Sequence, residues 1–256
     1  MKLEILHEDK DCLFINKPAG ISVHGDGKTD EKTMADFLLE AYPEIKEVGE
    51  PLEVKLAGGL SKFIPKPGIV HRLDKETSGV MLIAKNQKAH AFFKKQFHDH
   101  EIKKTYHAFV YGWLKEDEFE VDESIGRDGG NIRKWTVGKN ARGTMREAFT
   151  KFRVISRFGN KKYEGKGSTE DGVFSFVEAL PKTGRTHQIR VHLKSVNHPI
   201  VCDSLYAPNR DEALGFSRLA LHARELSVML PNKKMCTITA PYPKDFENAL
   251  EVANIR

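Results

Sequence analysis

Hydrophobic and polar residues alternate with a period near two in some segments of the chain and recur at helical spacing in others. Residues Leu3–Ile15 predict two short strands that are separated by a polar turn at His7–Asp11. The apolar residues of Thr33–Tyr42 share one helical face and predict a helix. The apolar run Val80–Ala84 predicts a buried strand, and Asn86–His98 predicts a helix that is capped by its first residue.

The second half of the chain continues this mixture of strands and helices. The pattern predicts a helix from Arg185 or Thr186 to about Val196 and a last helix over Phe246–Ile255. The predicted strands are Thr105–Leu114, Ala148–Ser156, Val173–Leu180, Ala220–His222, Leu226–Leu230 and Cys236–Ala240. Because strands and helices do not alternate in a regular βαβ rhythm, the pattern favours an α+β fold.

Two stretches are only weakly periodic. Residues Pro43–Pro67 are rich in glycine and proline and predict a long loop. Residues Lys161–Gly172 are polar and predict a turn-like connection. The chain has 256 residues, a length that allows one large domain or two small ones.

Positive charge is concentrated in one part of the chain. The formal net charge is +5, but residues Arg127–Lys166 hold twelve lysines and arginines against three acids, a net of +9. A concentrated basic segment is what neutralisation of phosphates requires, so the charge pattern favours a polyanionic partner. The alternative is a solvated, loop-rich face without a partner.

The cysteines and the N-terminus indicate a reducing compartment. Cys12, Cys202 and Cys236 are far apart in sequence, and an odd number rules out a complete disulfide framework. The first residues become acidic before any long apolar run, and no stretch approaches the roughly 18 apolar residues of a membrane helix. We therefore expect a soluble, cytoplasmic protein.

Three local groups of residues could carry chemistry. His71–Asp74 places an acid two residues after an arginine on a loop, which is either a reactive carboxylate or a structural ion pair. Gly184–Arg190 places an arginine and backbone N–H groups at a predicted helix start, which is suited to an anion. Lys104–Ala108 is a predicted strand whose aromatic residue could stack on a base.

Together with two further segments, these groups resemble the motifs of the RluA-type pseudouridine synthases, in the order of that family. The segments that carry the resemblance are Asn16–Gly20 with Val23 and His24, Gly68–Gly79, Lys104–Tyr106, Gly184–His192 and Arg218–Ala223. The resemblance covers about residues 3 to 245. It implies a catalytic domain of this family. Many relatives carry an N-terminal S4-type RNA-binding domain, but this chain starts almost at the catalytic domain, so we expect a single domain over residues 1–256 without that module, and a monomer. The implied fold is a mixed, mostly antiparallel sheet with flanking helices and a central RNA-binding cleft.

The resemblance also implies the reaction. A uridine within RNA has its N-glycosidic bond broken, and the uracil is turned and rejoined through C5, without a redox cofactor or a metal. Asp74 would be the essential carboxylate. Arg185 would be its cationic partner, and Tyr106 would lie against the target base and assist proton transfer at C5.

Further residues are expected to contact the substrate. The family pattern makes Arg72 the candidate for filling the gap that the extruded nucleotide leaves. The other predicted substrate contacts are His71, Leu219 beside the uracil, Thr186 and Gln188. In the basic segment, the predicted contacts to the RNA backbone are Arg133, Lys134, Lys139 and Arg142. We expect the basic segment and the Pro43–Pro67 loop to select the RNA, either ribosomal, with the large subunit favoured, or transfer RNA.

Other kinds of protein fit the sequence less well. A non-catalytic RNA-binding module of the same fold would share the basic segment but would not need Asp74, Tyr106 and Arg185 together. An aspartyl-phosphate enzyme would need further carboxylates for magnesium, and no such cluster is evident. The sequence also has no G-x-S-x-G elbow of a serine hydrolase.

Overall fold

The structure is a computed structural model that describes residues 1–27, 29–55, 59–159 and 172–255. Its α-helices, in chain order, are α1 (Met34–Ala41), α2 (Gln87–His98), α3 (Gln188–Ser195) and α4 (Lys244–Val252). Its strands are β1 (Ile5–Glu8), β2 (Cys12–Lys17), β3 (Leu52–Lys55), β4 (Ser61–Ile64), β5 (Ser78–Ala84), β6 (Lys103–Tyr111), β7 (Glu118–Asp122), β8 (Ile125–Asp128), β9 (Trp135–Val137), β10 (Ala141–Arg146), β11 (Phe149–Gly159), β12 (Val173–Pro181), β13 (Leu221–Met229) and β14 (Met235–Thr239). The fold is therefore α+β, as the sequence pattern predicts.

The chain divides into two compact units. The first unit comprises Met1–Lys103 and Ala223–Pro241, and the second comprises Lys104–His222 and the chain from Tyr242 onward. In the first unit the strands follow the order β1-β2-β5-β13, and β14 pairs with β13. All seven residues of β5 are buried, so this strand forms the centre of the first unit's core.

In the second unit, β6, β12, β11 and β7 form consecutive antiparallel neighbours. Its core is aromatic. Phe109 on β6 stacks on Phe176 with ring centroids 4.6 Å apart, and Phe216 and Phe246 lie within 5.6 Å of it. Each of these four side chains is at most 2% exposed, and such burial is the main stabilising contribution to a fold of this size.

The prediction of a long loop over Pro43–Pro67 is wrong in part. This segment contains a 3-10 turn at Pro43–Ile45 and the antiparallel hairpin β3–β4. The hairpin forms a two-stranded sheet of its own, and its residues are mostly exposed or half-buried. Because Ile64 is the one buried residue of the two strands, neither strand carries the apolar run that would have revealed it.

The basic segment also holds more regular structure than predicted. Strands β8, β9 and β10 form a separate three-stranded antiparallel sheet with β8 in the middle. The glycines that predict turns lie between or within these short strands. Residues 161–171 of the predicted turn-like connection, and the last part of the basic segment beyond residue 159, lie outside the described residues.

Two further boundaries differ from the prediction. Helix α3 begins at Gln188 rather than at Arg185 or Thr186, because His187 has a φ of +57° that a helix cannot continue. The two strands predicted over Ala220–His222 and Leu226–Leu230 form the single strand β13. The half-buried residues between them interrupt the apolar pattern but not the backbone.

Candidate active site

Asp74 lies on a loop that leads directly into the buried strand β5. The start of this loop packs closely on the end of the strand. Gly68 has a φ of +63°, and a Cβ there would lie 2.2 Å from the carbonyl oxygen of Ala84. After Asp74, the backbone N–H of Thr77 donates to the Asp74 carbonyl oxygen at 3.1 Å and closes a turn. Asp74 is thus a half-buried residue in a turn that rigid elements hold at both ends.

His71, three residues earlier, anchors the same loop. Its Nε2 accepts a hydrogen bond from the backbone N–H of Leu82 in β5 at 2.9 Å. Its ring stacks on Phe97 of α2 with centroids 4.6 Å apart. Because an imidazolium cannot accept a hydrogen bond, this contact requires the neutral form with Nε2 unprotonated. Arg72, the predicted gap-filling residue, is exposed beside it.

Lys17, to which the sequence analysis assigns no individual role, holds the backbone of this loop by hydrogen bonds. Lys17 is fully buried, and its Nζ donates to the carbonyl oxygens of Pro18, Ile21 and Lys75 at 2.7–3.1 Å. A buried ammonium needs such partners, because burial without them is strongly unfavourable. Lys17 therefore ties the Asn16–Gly20 segment to the residue that follows Asp74. The sequence contains one signal for this role: Lys17 ends strand β2, whose first four residues are apolar.

Tyr106 and Lys104 lie on β6 of the second unit. They are two positions apart on one strand, so their side chains point to the same face of the sheet. Tyr106 is half-buried opposite Ala179 of β12. The Nζ of Lys104 donates to the carbonyl oxygens of Thr183 at 2.9 Å and of Lys182 at 3.3 Å. Burial, and secondly the charge of Arg185, lower the pKa of Lys104 to about 8.

Arg185 lies on the loop between β12 and α3, three residues before the helix begins. Its backbone N–H donates to Oε1 of Gln188 at 2.9 Å, and its Nε donates to the carbonyl oxygen of Glu147 at 2.9 Å. Gln188 is 4% exposed, and protein atoms occupy both its donor and its acceptor positions. Direct binding of substrate by Gln188 would require one of these bonds to open. Thr186 is exposed.

Leu219 is 3% exposed and belongs to the aromatic core of the second unit. Its neighbour Arg218 forms a two-bond ion pair with Asp245, at 2.6 and 2.8 Å, and its Nη1 donates to the carbonyl oxygen of Leu219 at 3.1 Å. The prediction that Leu219 packs beside the uracil stays a prediction.

The predicted RNA-backbone residues lie on and around the small sheet β8–β10. Arg133, Lys139 and Arg142 are exposed, and Lys134 is half-buried. Next to them, the Arg127 guanidinium lies over the Trp135 ring at 4.4 Å from its centroid. The sheet therefore presents cations to solvent on a hydrogen-bonded scaffold.

The predicted site residues fall into two sets, each positioned within its own unit. Asp74, His71 and Arg72 belong to the first unit, and Tyr106, Arg185, Thr186, Gln188 and Leu219 belong to the second. Within the second unit, Lys104 and Arg185 influence each other electrostatically. The predicted pairing of Asp74 with Arg185 stays a prediction.

Metal-binding clusters and membrane-spanning helices are both absent from the part of the chain that the structure describes. No group of three or more His, Cys, Asp or Glu residues in this part of the chain is arranged to hold a metal ion. None of the helices in the described ranges is both long and apolar enough to span a membrane. The expectation of a metal-free reaction stays a prediction.

Comparison with known proteins identifies relatives over most of the chain. A family model described as RNA pseudouridylate synthase matches residues 11–195. A Synechocystis protein named as an uncharacterized RNA pseudouridine synthase is 35% identical over 249 residues, which are 97% of this chain and 68% of that protein. A ribosomal large subunit pseudouridine synthase D from Zymomonas mobilis is 34% identical over 96% of this chain and 71% of its own length.

A solved structure supports the fold. The structure titled Human RNA Pseudouridylate Synthase Domain Containing 4 matches with a TM-score of 0.69 at 24% identity. The match covers 99% of this chain and 94% of the human one.

Proposed function

The chain belongs to the RNA pseudouridylate synthase family and is an RNA pseudouridine synthase, and from this premise we propose that it modifies uridines of the large ribosomal subunit RNA. The support is the Zymomonas relative, whose name specifies that RNA and whose similarity extends over 96% of this chain. We further propose that the enzyme acts as a monomer in the cytoplasm, where ribosomal RNA is accessible to it.

We propose Asp74 as the essential carboxylate of the reaction. The observation that carries this assignment is its place in a turn between Gly68 and the buried strand β5, where the backbone is fixed but the side chain is only half-buried. A carboxylate on such a scaffold can be held in one orientation against a reacting atom, and this lowers the barrier to attack or proton removal. Three routes use an ionised Asp74: attack on the base, attack on the sugar, or removal of the 2′ proton.

Arg185 and Tyr106 complete the proposed catalytic set. A guanidinium beside the carboxylate would favour its ionised form. Tyr106 presents a phenol from a strand of the second unit's sheet, where it would stack on the uracil and assist the proton transfer at C5.

The remaining predicted residues are proposed to bind and extrude the nucleotide. Arg72 is exposed on the Asp74 loop and would fill the gap that the extruded nucleotide leaves in the RNA stack. Extrusion itself costs a few kcal/mol, because the base is unstacked. Leu219 would bound the uracil pocket, and Thr186 would contact the RNA from the Arg185 loop. His71 would act by holding the Asp74 loop to β5.

Mapping of pseudouridine in total RNA from cells with and without the gene tests the proposed substrate. We expect one or a few pseudouridines of the large-subunit RNA to disappear and to return with a plasmid copy of the gene. A copy with Asp74→Asn is the control and should not restore them. Loss confined to transfer RNA, or no loss in any RNA, would overturn the proposed substrate.

A further inference from the structure

A chain of buried side chains lies beneath the Arg185 loop. At its centre is the amide of Gln188, the first residue of α3. Its Oε1 accepts from the Thr183 hydroxyl at 2.7 Å and from the Arg185 backbone N–H at 2.9 Å. Its Nε2 donates to the Phe149 carbonyl oxygen at 2.9 Å and to the Thr150 hydroxyl at 3.0 Å. Both acceptor positions and both donor positions of the amide are thus occupied.

The direction of each hydrogen bond in this series of side chains follows from the groups at its two ends, Thr183 and His192. The Phe149 N–H donates to the Thr183 hydroxyl at 3.1 Å, so that hydroxyl proton is available for Gln188. At the other end, Nε2 of His192 lies 3.1 Å from the Glu123 carbonyl oxygen, which can only accept. His192 therefore carries its proton on Nε2, and its Nδ1 accepts from the Thr150 hydroxyl at 3.0 Å. Only one orientation of the Gln188 amide satisfies every partner.

This network fixes the backbone of the loop, and the Arg185 side chain takes no part in it. The loop begins at the end of β12 and is not helical, because α3 starts only at Gln188. Its main chain is held at Arg185 by Gln188 and at Thr183 by Lys104. The Arg185 side chain then leaves a fixed Cα and is held again at Nε by the Glu147 carbonyl oxygen.

We propose that Gln188 is a positioning residue for pseudouridine formation, which acts by fixing the backbone from which Arg185 extends. The inference rests on the proposed role of Arg185. It differs from direct substrate binding by Gln188, because the buried amide has its hydrogen bonds inside the protein. A shift of the Arg185 backbone by about 1 Å is enough to lower a rate by roughly 100-fold when the guanidinium acts on the reacting groups.

The test compares two variants that remove different parts of the network. Gln188→Met keeps the length of the side chain but removes all four of its hydrogen bonds, including those to Arg185 and Thr183. Thr150→Val keeps the shape of Thr150 and removes the bonds of its hydroxyl to Gln188 Nε2 and to His192, but it leaves both bonds of Gln188 Oε1 in place. Both leave buried polar groups without partners, so both should lower the free energy of unfolding by about 1–3 kcal/mol. We expect only Gln188→Met to lower the single-turnover rate at saturating RNA, by about tenfold or more, with the RNA Kd within about threefold.

A double-variant cycle separates positioning from a structural role. If Gln188 acts through Arg185, Gln188→Met should have little further effect on the rate once Arg185→Met is present. An equal rate loss in both backgrounds, or no loss in the wild-type background, would overturn the proposal. If Arg185→Met alone leaves the rate unchanged, the proposed role of Arg185 fails instead.

Gln188→Glu keeps the test decisive if Gln188→Met does not fold. Its carboxylate can still accept from Arg185 and Thr183, but it cannot donate to Phe149 and Thr150. The proposal expects lower stability with a single-turnover rate within about threefold of wild type, because the contact to the Arg185 backbone remains. A rate loss of about 100-fold with normal RNA binding would contradict it.

Discussion

At the scale of single residues, two ionisable groups in the second unit, the half-buried Lys104 and the buried His192, are shifted towards their neutral forms. Burial is the largest cause for both Lys104 and His192, and it lowers the pKa of each. Both contact the network around the Arg185 loop, His192 through Thr150 and Lys104 through Thr183. Their titration therefore links stability to pH in a region proposed to support catalysis.

Lys104 should make the protein more stable as pH rises through the alkaline range. Its pKa falls from 10.5 to about 8 on folding, so between these values the unfolded chain binds more protons than the native one. Below pH 8 Lys104 is charged in the native state as well, and its burial then lowers the free energy of unfolding by the full amount. As pH rises towards 10.5, the free energy of unfolding increases by a few kcal/mol at most. We expect Lys104→Met to lack this rise when urea unfolding is compared with wild type from pH 7.5 to 10. Parallel curves for the two proteins would contradict the prediction.

His192 should produce an effect at acid pH. Its pKa in the folded state lies below 6.5, so the unfolded chain takes up the proton first as pH falls. Native stability is therefore lost as pH decreases below 6.5, with a slope of up to about 1.4 kcal/mol per pH unit. His192→Phe should be less stable at pH 7 but should lose less between pH 6.5 and 5. The control is His98→Gln, since the His98 side chain is 84% exposed, and an equal slope in all three proteins would refute the assignment.

At the scale of elements, the sequence predicts the strands and helices whose apolar residues are buried in a core, and it misses elements with few buried residues. Strand β5 and helix α2 were predicted closely, because burial imposes a continuous apolar run on one and an apolar face on the other. The hairpin β3–β4 was missed because Ile64 is the one buried residue of its two strands, so neither strand shows such a pattern. The start of α3 was misplaced because the left-handed conformation of His187 depends on its surroundings, which include a 2.9 Å contact with the Tyr206 hydroxyl.

The candidate site shows the same division. Asp74, Tyr106 and Arg185 could be named from motifs, since the chemistry depends on the residue types themselves. The support from Lys17 and Gln188 could not, because it consists of hydrogen bonds between segments far apart in sequence. Lys17, for example, reaches a carbonyl oxygen 58 positions away.

Close packing of β5 against β13 should make Gly79 irreplaceable. Gly79 has a φ of +117°, and a Cβ there would lie 2.2 Å from the carbonyl oxygen of Ala223. Gly79→Ala should therefore lower the free energy of unfolding by more than the roughly 1 kcal/mol expected for a positive φ alone. Gly20→Ala is the matched control, since Gly20 has a φ of +82° but open space around it. Equal losses for the two variants in urea unfolding would show that the close contact has no effect.

At the scale of the whole molecule, charge is distributed unevenly between the basic segment and the remainder. The segment Arg127–Lys166 carries +9 in a chain whose total is +5, so the rest of the chain sums to −4. In the described part, six of the nine cations of this segment lie on and around the small sheet β8–β10, and the other three, Lys151, Arg153 and Arg157, lie on β11. An RNA would be drawn to this face before any base is read, because phosphate contacts position the nucleic acid without reading its sequence.

RNA binding should weaken, most strongly at low salt, when alanine replaces four cations together: Arg133, Lys134, Lys139 and Arg142. The slope of log affinity against log salt should fall by roughly 0.7 for each phosphate interaction that the variant removes on single-stranded RNA. The single-turnover rate at saturating RNA should change little. Alanine at Lys2, Lys10, Lys88 and Lys234, which are exposed in the first unit, provides a control of equal charge change. An equal change of slope in both variants would assign the effect to net charge alone.

This molecule isomerises uridine in RNA, and we propose that it does so through the carboxylate of Asp74. The most direct measurement is single-turnover formation of pseudouridine by wild type and by Asp74→Asn on an RNA that the wild-type enzyme modifies. The wild type should convert its target uridine, and Asp74→Asn should bind the RNA with similar affinity but form no detectable pseudouridine. Turnover by Asp74→Asn within about tenfold of wild type, a barrier change near 1.4 kcal/mol, would contradict the account.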